Sequence, residues 1–233
     1  MVNYEVRGRA GIITIDRPDK RNSVNGEVAH GIEDGIDRIE SDPEVYAGII
    51  TGAGGVFCAG ADLKALGEGR LAELNTARGG FAGITERERT KPMIAAVDGF
   101  ALAGGTEIAL ACDMIVASVE SSFGIPEVKR CLIPGAGGLF RLARVLPRNV
   151  AIELTATGDP ITAQRAFDLG MVNQLTEVGG ALDAALALAD RVASNAPLAV
   201  QASLRLLAEF EETDDAELFR KCQEELLVLT ATE

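Results

Sequence analysis

The apolar positions along this chain follow two periods. Residues 3–16 read as two short strands around the turn Gly8-Arg9-Ala10-Gly11, the second carried by the β-branched run Ile12-Ile13-Thr14-Ile15. From about residue 26 to 40 the period lengthens. Val28, Ile32, Ile36 and Ile39 make one apolar stripe, and Asn25 stands where an N-cap belongs, so a helix is predicted. Residues 45–51 and 93–97 are apolar strand-like runs, and 114–117 is a further strand. Residues 65–90 are polar and broken by Gly67, Gly69, Gly79 and Gly80, which predicts helical or mobile chain. From Arg141 onward the pattern is helical, with short breaks at Pro147 and Gly170 and a proline-started helix at Pro197. Asp214 with Glu217 marks the start of a last helix over 215–229, whose stripe is Leu218, Cys222, Leu226 and Leu229. Strand–helix alternation thus gives way at about residue 140 to an α-only tail, and no internal repeat is visible.

Three glycine turns interrupt the strand-to-helix passages. Ala59-Gly60-Ala61 follows the apolar piece Val56-Phe57-Cys58 and leads to Asp62-Leu63-Lys64. Ala103-Gly104-Gly105 follows the strand at 93–97 and opens a helix. Ile133-Pro134-Gly135-Ala136-Gly137-Gly138 precedes another helix. A glycine turn at a helix start exposes backbone N–H groups and favours negative charge. Glu107, one turn into the second of these helices, suits a transient charge better than a permanent phosphate. Either the first two turns are structural, or the fold brings them together and two N–H groups converge on one oxygen. Glu107 and Glu127 each follow a glycine-containing turn and have apolar neighbours. Each is either an ordinary glutamate or half of an acid/base pair whose pKa is raised by burial.

Composition narrows these readings. A net charge of −13 argues against nucleic acid as a partner. No apolar run is long enough for a membrane span, and Met1 runs almost at once into strand-like sequence, so a cytoplasmic protein without a leader is expected. The lone His30 lies in a polar helical stretch, and no G-x-S-x-G accompanies it, which disfavours a Ser-His-Asp hydrolase. Dinucleotide and P-loop fingerprints are missing, as is a His/Cys metal cluster. The cysteines, Cys58, Cys112, Cys131 and Cys222, have apolar neighbours and are expected as reduced core thiols.

The motifs resemble, in order and over nearly the whole chain, those of the crotonase superfamily, the enoyl-CoA hydratase/isomerase family. The matching stretches are Arg17-Pro18 with Arg21-Asn22-Ser23-Val24-Asn25, Phe57 through Lys64, Gly99 through Glu107, Phe123 through Glu127, Ile133 through Gly138, and Ile161-Thr162-Ala163 to Gly170-Met171-Val172. The resemblance implies an α/β fold, a spiral of repeated ββα units over residues 1–175. A helical C-terminal region over 176–233 is implied to support a homotrimer or a dimer of trimers. It implies that the N–H groups of Ala61 and Gly104 bind the thioester oxygen of an acyl-CoA, and that Glu107 and Glu127 are the catalytic carboxylates of a hydratase. Isomerases and other members often lack one of that pair. Lys20, Arg21 and Lys64 are the basic candidates for the CoA phosphates, with Ala59, Ala61, Asp62, Leu63 and Gly104 along the substrate. No cofactor is implied, coenzyme A being part of the substrate, and neither a membrane nor nucleic acid is. Ala103 stands where many members have a third glycine, and alanine is read as compatible with that turn. The chain stops at Glu233, where relatives continue through one more short helix, so that helix is either lacking or cut from this sequence.

Overall fold

The computed structural model describes residues 1–210 and 213–230. In chain order the elements are β1 (Val2–Arg7), β2 (Ala10–Ile15), α1 (Gly26–Ser41), β3 (Ala47–Gly52), α2 (Leu63–Gly67), β4 (Asn75–Thr76), β5 (Gly80–Phe81), β6 (Met93–Val97), β7 (Phe100–Leu102) and α3 (Gly104–Ala111). There follow β8 (Met114–Ser118), β9 (Ser122–Gly124), α4 (Gly138–Val145), α5 (Arg148–Thr157), β10 (Ile161–Thr162), α6 (Ala163–Asp168), β11 (Gln174–Thr176), α7 (Ala181–Ala193), α8 (Pro197–Glu209) and α9 (Asp215–Thr230).

The main sheet has the order β1-β2-β3-β6-β8-β11, antiparallel at β1/β2 and parallel elsewhere. Its central strands are apolar on both faces because both faces are covered. Ile13, Ile15, Ile50 and Val97 face a core shared with α1, where Val28, Ile32, Ile36 and Ile39 are fully buried. Each such side chain contributes about 1.5–3 kcal/mol on leaving water. Ile12, Ile49, Ile94 and Val116 face the other way, onto Ala181, Ala185 and Ala189 of α7. The alanine bias of that helix thus has a use, because a methyl-lined face lies close on the sheet. Asn25 caps α1, its side chain accepting the Val28 N–H at 3.0 Å.

A second layer builds the site. β7 pairs in parallel with β9, and β9 pairs antiparallel with β10. Single parallel bridges extend this layer, Cys58 to Ala101 and Val24 to Ala61. After each main-sheet strand β3, β6 and β8 the chain therefore adds a short piece to the second layer before turning helical, which is the ββα spiral.

The fold corrects four sequence expectations. The tail beyond Arg141 is not α-only, since β10 and β11 close the two sheets; strands of two and three residues leave no periodicity to read. The 65–90 segment, read as polar and helical or mobile, is helical at its start, in α2 and in a 3-10 turn over Leu71–Leu74, but is neither polar nor mobile farther on. Residues 79–85 are buried, with Phe81 and Ile84 in the core, and Gly83 packs so tightly on α1 that a Cβ would lie 2.5 Å from the Ala29 carbonyl. Cys58 is buried and Cys112 half-buried, but Cys131 and Cys222 are exposed. Cys131 ends a 3-10 turn in a left-handed conformation, and Cys222 lies on the outer face of α9. α9 packs on α8; Leu218 and Leu229 of the expected stripe are half-buried, while Leu226 is exposed. Among the described residues, no helix is long and apolar enough to cross a membrane.

Candidate active site

The first two glycine turns meet. Cys58 N–H donates to the Phe100 carbonyl and Leu102 N–H to the Cys58 carbonyl, which lays the 58–61 backbone along β7. The contact needs glycine. Gly60 has φ +87°, and a Cβ there would sit 2.8 Å from the Gly104 nitrogen. A Cβ on Gly105 would lie 2.1 Å from the Cys58 carbonyl oxygen. Ala61 and Gly104 line one cavity of about 720 Å³. Among the described residues no acceptor is found for either N–H. Gly104 is the first residue of α3, so its N–H is one of the orphan donors of a helix start and carries the positive end of the helix dipole.

The turn does not suit alanine, against the sequence expectation. Ala103 has φ +52° and ψ −127°, a conformation glycine adopts freely and other residues adopt under strain. Its N–H is held by the Gly124 carbonyl at 2.8 Å, and its carbonyl accepts from Thr106 and Glu107. Ala103→Gly is therefore expected to stabilise the fold by about 1 kcal/mol. Relief of roughly 1–3 kcal/mol of strain outweighs about 0.4–1 kcal/mol of added unfolded-state entropy. Urea unfolding checks this, and a lowered midpoint would mean that methyl packing against Gly60 dominates.

Both glutamates line the same cavity. Glu107 is 3% exposed, and its Oε1 accepts the Ala136 N–H at 2.7 Å and the Gly138 N–H at 2.9 Å. Gly138 starts α4, so the third glycine turn cradles the carboxylate of the second. Burial raises the Glu107 carboxyl above its ordinary value, and the two N–H donors with the Arg141 charge offset part of the rise. Arg141 also donates to the Ala136 and Thr85 carbonyls, which pins this loop. Glu127 sits on a 3-10 turn over Pro126–Arg130. Its Oε2 is buried without a hydrogen-bond partner. Burial pushes its carboxyl up to about 7, its own N–H pulls back, and the Glu107 charge adds to the rise. The cavity therefore holds one carboxylate supported by donors and one that stays protonated to near-neutral pH.

Lys20, Arg21, Ala59, Asp62 and Leu63 also line the cavity. Asp62, however, is committed. It pairs with Arg17 at 2.7 Å and caps α2 through the Lys64 N–H at 2.9 Å. Lys64 does not line the cavity; its side chain is 79% exposed and lies 3.9 Å from Glu68. Arg130 does line it and was missed. The signal was present, because residues three apart share a face in a 3-10 turn, and Arg130 is three after Glu127. Leu66, Leu71 and Phe81, from the segment expected to be helical or mobile, form part of the apolar wall.

A family model described as enoyl-CoA hydratase/isomerase matches residues 7–231. A carnitinyl-CoA dehydratase of Proteus mirabilis is 42% identical over 203 residues, covering 86% of this chain and 77% of that one. An enoyl-CoA hydratase of Mycobacterium tuberculosis, EchA19, is 41% identical over 223 residues, 93% of this chain and 83% of its own. Among solved structures, the enoyl-CoA hydratase EchA1 from Mycobacterium marinum superposes with a TM-score of 0.95 at 49% identity, covering 99% of this chain and 90% of that one.

Proposed function

The chain belongs to the enoyl-CoA hydratase/isomerase family, and from that premise we propose that it adds water across the double bond of a trans-2-enoyl-CoA to give a 3-hydroxyacyl-CoA. One observation carries the reading: two unengaged backbone N–H groups and two carboxyls, one held by two N–H donors and one with a buried oxygen that has no partner, line one cavity. The N–H groups of Ala61 and Gly104 polarise the thioester carbonyl, which makes carbon 3 electrophilic and stabilises the enolate that follows. Glu107, supported as an anion on Oε1, takes a proton from a water whose oxygen bonds to carbon 3. Glu127, protonated, gives its proton to carbon 2. Transfer of the proton from Glu107 back to Glu127, directly or through solvent, restores the starting state. Only water and protons move, so the reaction calls for no cofactor. Lys20 and Arg21, with Arg130, are the cations placed to meet the CoA phosphates.

The relatives named carnitinyl-CoA dehydratase offer a second reading, in which the acyl group bears a quaternary ammonium. Such a cation is recognised by aromatic faces or free carboxylates. The wall here is mainly aliphatic, with Leu63, Leu66, Leu71, Leu102, Leu132 and Ile133 against two aromatics, Phe81 and Phe100, and Asp62 is already paired, which supports an uncharged chain. Loss of the conjugated enoyl absorbance on mixing with crotonyl-CoA tests the main reading, and the same assay on crotonobetainyl-CoA tests the second. No turnover of any enoyl-CoA would sink both.

The pH profile follows from the assignment of acid and base. Hydration needs Glu127 protonated and Glu107 ionised. kcat/KM, which reports the free enzyme, should fall as pH rises through about 7. It should also fall on the acid side, as Glu107 takes up a proton. A rate that stays flat between neutral and alkaline pH would remove Glu127 from the role of acid. A trimer or pair of trimers is supported by the apolar side chains exposed on α8 and α9, among them Leu207, Phe219, Leu227 and Val228.

A further inference from the structure

Thr106 lies between the oxyanion turn and Glu107, is 0% exposed, and lines no part of the cavity. Filling space at that point would need only a valine, which has the same shape. The hydroxyl, however, is engaged on every side. It lies 2.6 Å from the Ala101 carbonyl and 2.9 Å from the Gly124 carbonyl, with one proton to give between them, and it accepts the Gly124 N–H at 2.9 Å. Ala101 belongs to β7, Thr106 to the first turn of α3, and Gly124 ends β9. From Gly124 the chain reaches Glu127 through Ile125 and Pro126 alone. The Gly124 carbonyl also holds the strained Ala103 N–H beside Gly104. One buried oxygen thus fastens the segment that carries Gly104 and Glu107 to the segment that carries Glu127.

We propose that Thr106 is a positioning residue, whose hydroxyl sets the separation of Glu107 and Glu127 by locking Gly124 to the first turn of α3. Its kinetic consequence rests on the hydratase reading; its structural consequence does not. Removing the hydroxyl takes away the tie between the first turn of α3 and Gly124, leaves β9 held to β7 by the strand ladder alone, and lets the 124–127 segment shift. Carboxyls displaced by a fraction of an ångström remain able to bind substrate but meet the transition state poorly.

The test compares Thr106→Val and Thr106→Ser with the wild-type chain. For crotonyl-CoA hydration, Thr106→Val should lower kcat about 10–100-fold while KM stays within about threefold, because a small misplacement costs rate rather than binding. Thr106→Ser keeps the hydroxyl and should return kcat to within about threefold of wild type. Ile39→Val, a core truncation on α1 outside the cavity, should cost stability without lowering kcat. Carbon-13 NMR titration of Glu127 gives an arm independent of turnover: in Thr106→Val its midpoint should move down from about 7 as water reaches the loosened segment. Should Thr106→Val fail to fold, Thr106→Ala is read in the same two ways. The proposal is overturned if the Val variant keeps kcat within about twofold, if Ser is as slow as Val, or if the Glu127 midpoint does not move. A wild-type chain that hydrates no enoyl-CoA defeats the hydratase reading, and the titration then still decides the role of Thr106.

Discussion

Glu127→Gln is expected to lower kcat for enoyl-CoA hydration by about 10²–10⁴-fold, the usual worth of a placed acid or base, with KM little changed. Glutamine keeps the shape and cannot supply a proton to carbon 2. The same variant should gain relative stability as pH rises. In the fold the Glu127 carboxyl titrates at about 7 against an ordinary 4.5, because burial disfavours its charged form. Between those two values the native state holds a proton that the unfolded state has lost. The stability this group contributes is therefore complete below the ordinary value and is lost as pH climbs through about 7. Glutamine has no such loss, so the difference in unfolding free energy between variant and wild type should shift toward the variant from pH 4 to pH 8, as denaturant melts at the two extremes would read. A large fall in kcat together with a stability gain at high pH is the signature of a buried, unpaired acid kept for chemistry. Loss of rate with no change in the pH dependence of stability would mean that the carboxyl is solvated, and its assignment as the acid would fall.

Gly60→Ala comes second in expected effect. The new methyl would stand 2.8 Å from the Gly104 nitrogen and 3.0 Å from the Leu102 carbonyl, both backbone atoms with little room to yield. It would crowd one N–H donor and push the other, on Ala61, out of line. Removing one donor of this kind costs about 2.7–4 kcal/mol of transition-state stabilisation, so kcat/KM for crotonyl-CoA should fall about 10²–10³-fold. Strain at a positive φ contributes separately to stability, and Gly69→Ala isolates that part. Gly69 has φ +72° and no atom within 4 Å of an added Cβ, so its alanine variant should be destabilised yet fully active. If Gly60→Ala hydrates substrate at the wild-type rate, the two N–H groups do not bind the thioester oxygen.

Much of this architecture was legible along the chain, where a local pattern had a local cause. The stripe from Val28 to Ile39 and the Asn25 cap announced α1 to within a residue, because a helix buries residues at its own period and closes its own N-terminus. The run Met93–Val97 is β6 with no adjustment. The glycine turns and the two glutamates beside them could be picked out, since only special backbone conformations and buried acids need those residues there. What stayed illegible was whatever depends on a neighbour far along the chain. The 79–85 stretch looked polar and broken; its glycines are in fact points of close approach to α1 and to one another. Arg130 and Lys64 were indistinguishable as cations until the fold turned one toward the cavity and the other toward solvent.

The sequence by itself determined most of the parts of this protein: the longer strands and helices, the two turns able to expose N–H groups, and the carboxyls suited to proton transfer. Those follow from backbone sterics and side-chain periodicity over a few residues. Only the tertiary structure decided what the parts do to one another. It set Gly60 against Gly104, placed the N–H groups of Ala136 and Gly138 on Glu107, and left the Glu127 Oε2 buried without a partner. Proton affinity is set by distance to charge, donors and water in three dimensions. Two glutamates that read alike in the chain therefore become, in the fold, a carboxyl held by two N–H donors and a carboxyl whose buried oxygen has none.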